Sequence, residues 1–265
     1  MNTVDTEVVI IGSGLGGLTS AILLGEMGLK TTVIERSPLP GGLLRSYVRQ
    51  GVDCPVGLHY FGPAGKGQLL RQMFDILGVT SKLQLRRLGT QGVFERYIFD
   101  DLVFDLPATL PAFGQALYDL YPNEKPAIDA IILALQSMSQ GLRLDSKGVL
   151  QSSPFSFAGL DRSMEDFLSA LGCSKELHDI LSVHGFWTGL PMDKCPASLL
   201  LYTLGALLLS AWELGCTGKQ MAEAYAERAL ETGVDMICGD PVEQILVTDG
   251  RACGVRLRSG RSLTC

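Results

Sequence analysis

The chain has no C-x-x-C pair, no cluster of lysine and arginine, no secretory leader and no legible catalytic dyad. Each absence removes a class of protein. The seven cysteines (Cys54, Cys173, Cys195, Cys216, Cys238, Cys253 and Cys265) are odd in number and widely spaced, so neither a disulfide framework nor a metal site is expected. Without a signal peptide they read as reduced thiols in a cytosolic setting. Asp and Glu (28) outnumber Lys and Arg (22), for a net charge of −6, and the cations are scattered. That balance leaves no basic field for nucleic acid, which is excluded as a partner. The N-terminus puts Asp5 and Glu7 ahead of only four apolar residues, which makes neither a signal peptide nor a membrane span. No residue is assigned a catalytic role.

A long, leucine-rich uncharged run extends from Cys195 to Trp212 between Lys194 and Glu213. Its length reaches the lower limit for a bilayer span, but Pro196, Ser198, Thr203, Gly205 and Ser210 dilute it and no second span accompanies it. Three readings stay open, in this order: a buried core helix, the wall of a greasy substrate tunnel, and a surface that dips into a membrane.

What is present is organised around Glu7 to Gly42. Four apolar residues, Val8 to Ile11, lead into Gly12-Ser13-Gly14-Leu15-Gly16-Gly17, then an apolar-periodic segment, then Thr-Thr-Val-Ile-Glu35-Arg36. This is a strand, a Gly-rich turn, a helix and a second strand ending on a carboxylate. Gly12 allows a tight turn, Gly14 lets backbone approach a pyrophosphate, and Gly17 lets the helix pack closely on the sheet. The unpaired amides of the first helical turn and the positive end of its dipole then face the phosphates. Glu35 falls where a carboxylate accepts both ribose hydroxyls of an adenosine and repels the 2′-phosphate of NADP. Arg36 reads either as a solvated neighbour or as a cation over the adenine. Gly41-Gly42 supplies a second place where backbone can come close to a cofactor.

The run Val8 to Ser46 resembles the FAD-binding opening of the flavoprotein group that holds amine oxidases, phytoene desaturases, carotenoid isomerases and retinol saturases. In that group a Gly pair follows the acidic residue and lines the path toward the flavin, which implies FAD as the cofactor. Leu43 stands where many amine oxidases carry Arg, and that departure moves the resemblance toward the polyene-acting members. The phrase Val56-Gly-Leu-His-Tyr-Phe-Gly62 is similar to a Gly-Ile/Leu-His-Tyr phrase of retinol saturase-like members, although Pro55-Val56 replaces their Asp-Thr. His59 therefore reads either as a group that positions flavin or substrate or as one that hydrogen-bonds a turn.

Further along, apolar spacing over Gln68 to Leu77 predicts a helix stopped by Gly78. Val93 to Leu106 turns β-rich around Asp100-Asp101, a hairpin. Pro126 suits a first helical turn ahead of Ile128, Ile131, Ile132 and Leu135. Ser163 with Asp166 forms a capping box. His178 and His184, six apart, share no helix face and read as structural. Lys219 to Glu231 is a helix with two ridges, Met221-Tyr225-Ala229 and Ala222-Ala226-Leu230. It is followed by a strand at Val234 to Cys238 beside the acidic one and by a meander with turns at Asp249-Gly250 and Ser259-Gly260. The resemblance implies that the backbone of Val242 contacts adenine. Thr217-Gly218 departs from the Gly-Gly that relatives often show.

The expected fold is α/β: an FAD-binding Rossmann-like sheet with a β-meander and an inserted, mainly helical substrate domain. Residues 1–78 and 214–265 form the first domain and residues 79–213 the second. An N-terminal piece, somewhat more than half of such an enzyme, is expected. The function implied is an FAD-dependent oxidoreductase acting on carbon–carbon bonds of a hydrophobic polyene or isoprenoid, in a cytoplasmic or peripheral membrane setting. The alternatives are a flavin amine oxidase and a non-catalytic FAD-binding fragment. The cofactor-binding set is Gly12, Ser13, Gly14, Leu15, Gly16, Gly17, Glu35, Arg36, Gly41, Gly42, His59 and Val242.

Overall fold

Three short strands make the first sheet. Val8–Ile11, Thr31–Glu35 and Asp235–Cys238 are all parallel, with Thr31–Glu35 in the centre. Register puts Ile11 opposite Ile34 and Cys238 opposite Glu35. The central strand is buried along its whole length, as expected of a parallel sheet covered on both faces. In this computed structural model residues 3–140, 142–145, 148–152, 160–215 and 218–265 are described.

The chain divides into two compact units. The first comprises Met1–His59, Phe74–Leu85 and Leu214–Cys265, and the second Tyr60–Met73 and Arg86–Glu213. Residues 60–73 stand with the second unit and 79–85 with the first.

In the first unit, helices Leu15–Glu26 and Gly218–Glu231 pack against each other. Their approach depends on small residues: a Cβ on Gly25 would sit 2.3 Å from Thr232 Oγ1. Arg228 donates to the Leu77 carbonyl at 3.2 Å and pairs with Glu26 and Glu231. The meander Val242–Thr248, Arg251–Leu257 and Ser262–Thr264 is antiparallel. Asp249 and Gly250 both hold positive φ, 50° and 77°, as a two-residue hairpin turn requires. Ile34, Val255, Leu257 and Leu263 form an apolar cluster joined by Val9, Ile237 and Val242, so meander and parallel sheet share one core.

Two details depart from expectation. A short strand, Thr3–Asp5, adds in parallel to Ser262–Thr264. Leu230, placed on a ridge with Ala222 and Ala226, is 54% exposed, while Met221, Ala222, Tyr225, Ala226 and Ala229 are buried.

The second unit has its own core. The hairpin Val93–Ile98 with Val103–Pro107 buries Tyr97, Phe104 and Leu106. The long helix Lys125–Gln140 carries Pro126 in its first turn and buries Ile128, Ile131 and Leu135. The uncharged run forms a helix at Ala197–Leu209. Leu200, Leu201, Leu204, Gly205, Ala206, Leu207 and Leu208 are all buried, while Leu199 is exposed and Ser198, Tyr202 and Thr203 are half-buried, so most of this apolar helix is enclosed. At Gly205 a Cβ would lie 2.7 Å from the Leu135 carbonyl oxygen, which brings the two helix backbones together. The core-helix reading of the run is therefore the one the structure supports. Among the described residues no helix is long and apolar enough to cross a membrane.

Ser163 caps the helix Met164–Ala170 by accepting from the Asp166 amide at 3.0 Å. The reciprocal arm differs from a capping box, because the Asp166 carboxylate takes the Ser163 hydroxyl at 2.7 Å instead of its amide. His184 is buried, with the Tyr97 hydroxyl 2.5 Å from Nε2, and burial pushes its pKa down to about 3.

Candidate nucleotide-binding site

At the C-terminal ends of Val8–Ile11 and Thr31–Glu35 the first unit opens a cavity of about 360 Å³. Its wall holds Ile11, Gly12, Gly14, Ile34, Glu35, Arg36, Ser37, Gly42, Leu43, Arg45, Pro241 and Val242. That volume lies at the small end of ligand pockets, and its place is where open parallel sheets take ligands.

Glycine is required here for reasons that can be measured. Gly12 has φ +99°, outside the reach of ordinary side chains. Its carbonyl oxygen would stand 2.1 Å from a Cβ on Gly17, so the helix crosses the turn in direct backbone contact. A Cβ on Gly42 would meet the Gly14 Cα at 3.0 Å, which places the second glycine turn against the first. Gly41 is squeezed against the Ala222 Cβ, and Gly218 against the Leu44 carbonyl. Gly218 thus does the packing work at the start of its helix; its neighbour Thr217, like Cys216, lies outside the described residues.

Gly14 caps the helix with backbone only, and the first turn carries no side-chain cap and no acidic residue. The first helical bond runs from the Leu18 amide to the Gly14 carbonyl at 2.9 Å. The amides of Leu15, Gly16 and Gly17 stand ahead of it, at the positive end of the helix dipole.

Glu35 is 7% exposed. Its Oε2 accepts from the Ser13 amide at 2.9 Å and the Ser13 hydroxyl at 2.7 Å, and its Oε1 accepts from the Ser37 amide at 2.8 Å. Burial pushes its pKa up, but the Ser13 and Ser37 hydrogen bonds outweigh burial and hold the carboxyl below its usual range. The site therefore carries one ionised carboxylate. Arg36 and Arg45 are exposed at its rim, and no ion pair involves either of them among the described residues.

Of the residues expected from sequence, Gly12, Gly14, Glu35, Arg36, Gly42 and Val242 line the cavity together. Leu15, Gly16 and Gly17 form the helix turn beside it. Ser13 and Gly41 stand behind the wall, joined by the Gly41 amide donating to the Ser13 carbonyl at 2.9 Å. His59 is exposed and outside the lining. Sequence reasoning missed Ser37, Arg45 and Pro241. Arg45 carried the one available signal, a cation three positions past the Gly pair. Among the described residues no cluster of three metal-ligating side chains occurs.

The donor set fits a dinucleotide. Nothing lies within 4 Å of a Cβ position on Gly12 or Gly14, which leaves room for phosphate oxygens beside backbone. The ionised carboxylate suits a ribose diol, and the Arg45 guanidinium suits a pyrophosphate.

Residues 10–77 match the family described as an NAD(P)-binding Rossmann-like domain. Over 97% of its length the chain is 27% identical to hydroxyneurosporene desaturase of Rubrivivax gelatinosus, covering 51% of that protein. It is 25% identical to the all-trans-retinol 13,14-reductase of Macaca fascicularis, over 97% of this chain and 45% of that one. A solved putrescine oxidase shares the fold with a TM-score of 0.68 at 18% identity, covering 99% of this chain and 57% of that one. The chain spans about half the length of the curated relatives it matches.

Proposed function

We propose that this chain, similar along nearly its whole length to carotenoid desaturases and retinol reductases, is part of an FAD-dependent oxidoreductase acting on carbon–carbon bonds of a hydrophobic polyene or isoprenoid. The observation that carries the cofactor assignment is Glu35. It is an ionised carboxylate at the edge of a glycine-walled cavity, where it can accept from a ribose diol and repel a 2′-phosphate.

When bound, the flavin supplies hydride exchange with the substrate. The protein's residues bind and orient it. The amides of Leu15, Gly16 and Gly17 face the pyrophosphate, and Arg45 adds a cation. Gly12, Gly14 and Gly42 let backbone come close, while Arg36 and Val242 border the adenine end. Ser13 and Gly41 act from behind the wall. His59, exposed outside the cavity, is not assigned to adenosine binding. The relatives named a desaturase, a reductase and an oxygenase support the carbon–carbon chemistry. The amine oxidase likeness rests on fold alone. A substrate class that dissolves in membranes makes peripheral membrane contact part of this proposal.

The test is direct. Purified protein is titrated with FAD, NAD and NADP while flavin absorbance and fluorescence are followed. Tight FAD binding with weak NADP binding supports the assignment, and a preparation that takes up no FAD overturns it. Flavin-loaded protein is then mixed with a carotenoid or retinol, and the polyene absorbance band is followed under oxidising and reducing conditions. A shift reports a double bond gained or lost, and an unmoved band under both conditions refutes the polyene reading.

A further inference from the structure

Ser13 occupies an unusual place in the glycine turn. It is fully buried and absent from the cavity wall. All three of its polar backbone and side-chain functions are committed inside the protein. Its amide and hydroxyl both donate to Glu35 Oε2, at 2.9 and 2.7 Å, and its carbonyl accepts from the Gly41 amide at 2.9 Å. One residue thus ties together the end of the first strand, the carboxylate at the end of the second and the Gly pair.

This commitment leaves Ser13 no donor for phosphate. We propose that Ser13 is a positioning residue that fixes the Glu35 carboxylate in the one orientation offering its remaining lone pairs to the ribose of a bound dinucleotide. The inference rests on the nucleotide reading above. Two donors on Oε2 and one on Oε1 restrain both carboxylate oxygens, so the group cannot rotate without breaking a buried hydrogen bond.

The same contacts keep Glu35 charged. The groups that face it are the Ser37 amide on its own strand end, Ser13 on the first turn, Cys238 opposite it on the neighbouring strand, and Arg36 and Arg45 at the cavity rim. Burial, and then the charge of Glu35, hold the Cys238 thiol up. Glu35 is therefore the group at this site that titrates in the acidic range. Its charge is present above its pKa and is lost as pH falls through it.

The experiment is an FAD titration by flavin fluorescence between about pH 4 and 8, on the wild type, Ser13→Ala, Glu35→Ala and the double variant, with circular dichroism confirming the fold. Should Ser13→Ala fail to fold, Ser13→Cys, of similar shape but a weak donor, replaces it. Ser13→Ala is expected to bind FAD roughly 10-fold more weakly at neutral pH. Its acid loss of affinity should set in at higher pH than in the wild type, because burial is then opposed only by the amide of residue 13 and by Ser37. In the Glu35→Ala background the second substitution should cost nothing further. An equal loss with and without Glu35, or an unmoved acid midpoint, overturns the inference while leaving the nucleotide reading intact. Unchanged affinity in Ser13→Ala does the same. A wild type that binds no FAD overturns both.

Discussion

Two adjacent glycines of the first helical turn make opposite demands, and substituting each by alanine separates packing from propensity. At Gly17 an added Cβ would stand 2.1 Å from the Gly12 carbonyl oxygen, 3.2 Å from its carbon and 3.4 Å from Ile10 Cγ2. The oxygen belongs to backbone and cannot swing aside, so the helix has to lift from the sheet by roughly 1 Å. Such overpacking costs about 1–3 kcal/mol, against which alanine's helix propensity returns at most about 1 kcal/mol. At Gly16 no atom lies within 4 Å and φ is unremarkable, so only the propensity gain remains. Thermal unfolding followed by circular dichroism should place Gly17→Ala several degrees below the wild type and Gly16→Ala level with it or slightly above. FAD affinity should fall in Gly17→Ala as well, because the amides of Leu15 to Gly17 move with the helix. Equal melting temperatures for the two variants would refute the close-approach argument.

Arg45→Ala should weaken FAD binding by roughly 5-fold and flatten its dependence on salt, since an exposed guanidinium at a phosphate is screened; isothermal titration at two ionic strengths reads both. Leu204, fully buried in the helix Ala197–Leu209, should cost about 2–5 kcal/mol as Leu204→Ala. Tryptophan fluorescence follows this well, because Trp187 and Trp212 both lie in the second unit. His184 predicts an acid weakness in that unit. Its folded pKa is depressed to about 3 by burial, and Glu95, 3.8 Å from Nε2, does not offset it. The unfolded chain therefore takes up a proton below about pH 6.5 that the folded one refuses. Stability should be undiminished above that pH and fall by up to about 1.4 kcal/mol per pH unit below it. Urea unfolding at pH 5 and 7 measures the slope, and His184→Gln should reduce it.

The readable parts of this fold are those where one residue type meets one geometric need. Gly12 with φ +99° and Gly17 against a carbonyl tolerate nothing larger, so the turn is legible from glycine spacing alone. The hairpin about Asp249-Gly250 is legible for the same reason. Thr3–Asp5 was not, because three residues carry no usable period and their partner, Ser262–Thr264, is remote in sequence. The Cys195 to Trp212 run is readable as apolar, with a buried core helix as the first of three readings. Its state is decided by Gly205 touching the backbone at Leu135, a contact between helices far apart in the chain.

The site divides along the same line. Spacing marks Glu35 as a candidate ribose ligand, but spacing says nothing about whether a carboxyl only 7% exposed is charged. Burial alone would argue that it is not. Its charge depends on the backbone and side chains of Ser13 and Ser37, and none of this is visible as a pattern, because serine in a glycine turn is as easily a phosphate donor as a carboxylate clamp. Arg45 and Pro241 escaped for a related reason: the wall is assembled from three loops that converge only after folding. A glycine motif therefore locates a dinucleotide site, while the polar residues threaded between its glycines decide how the neighbouring carboxylate is oriented and charged. The functional difference between a working site and a bare Rossmann turn should accordingly lie in residues such as Ser13, and measuring its coupling to Glu35 is more informative than removing either alone.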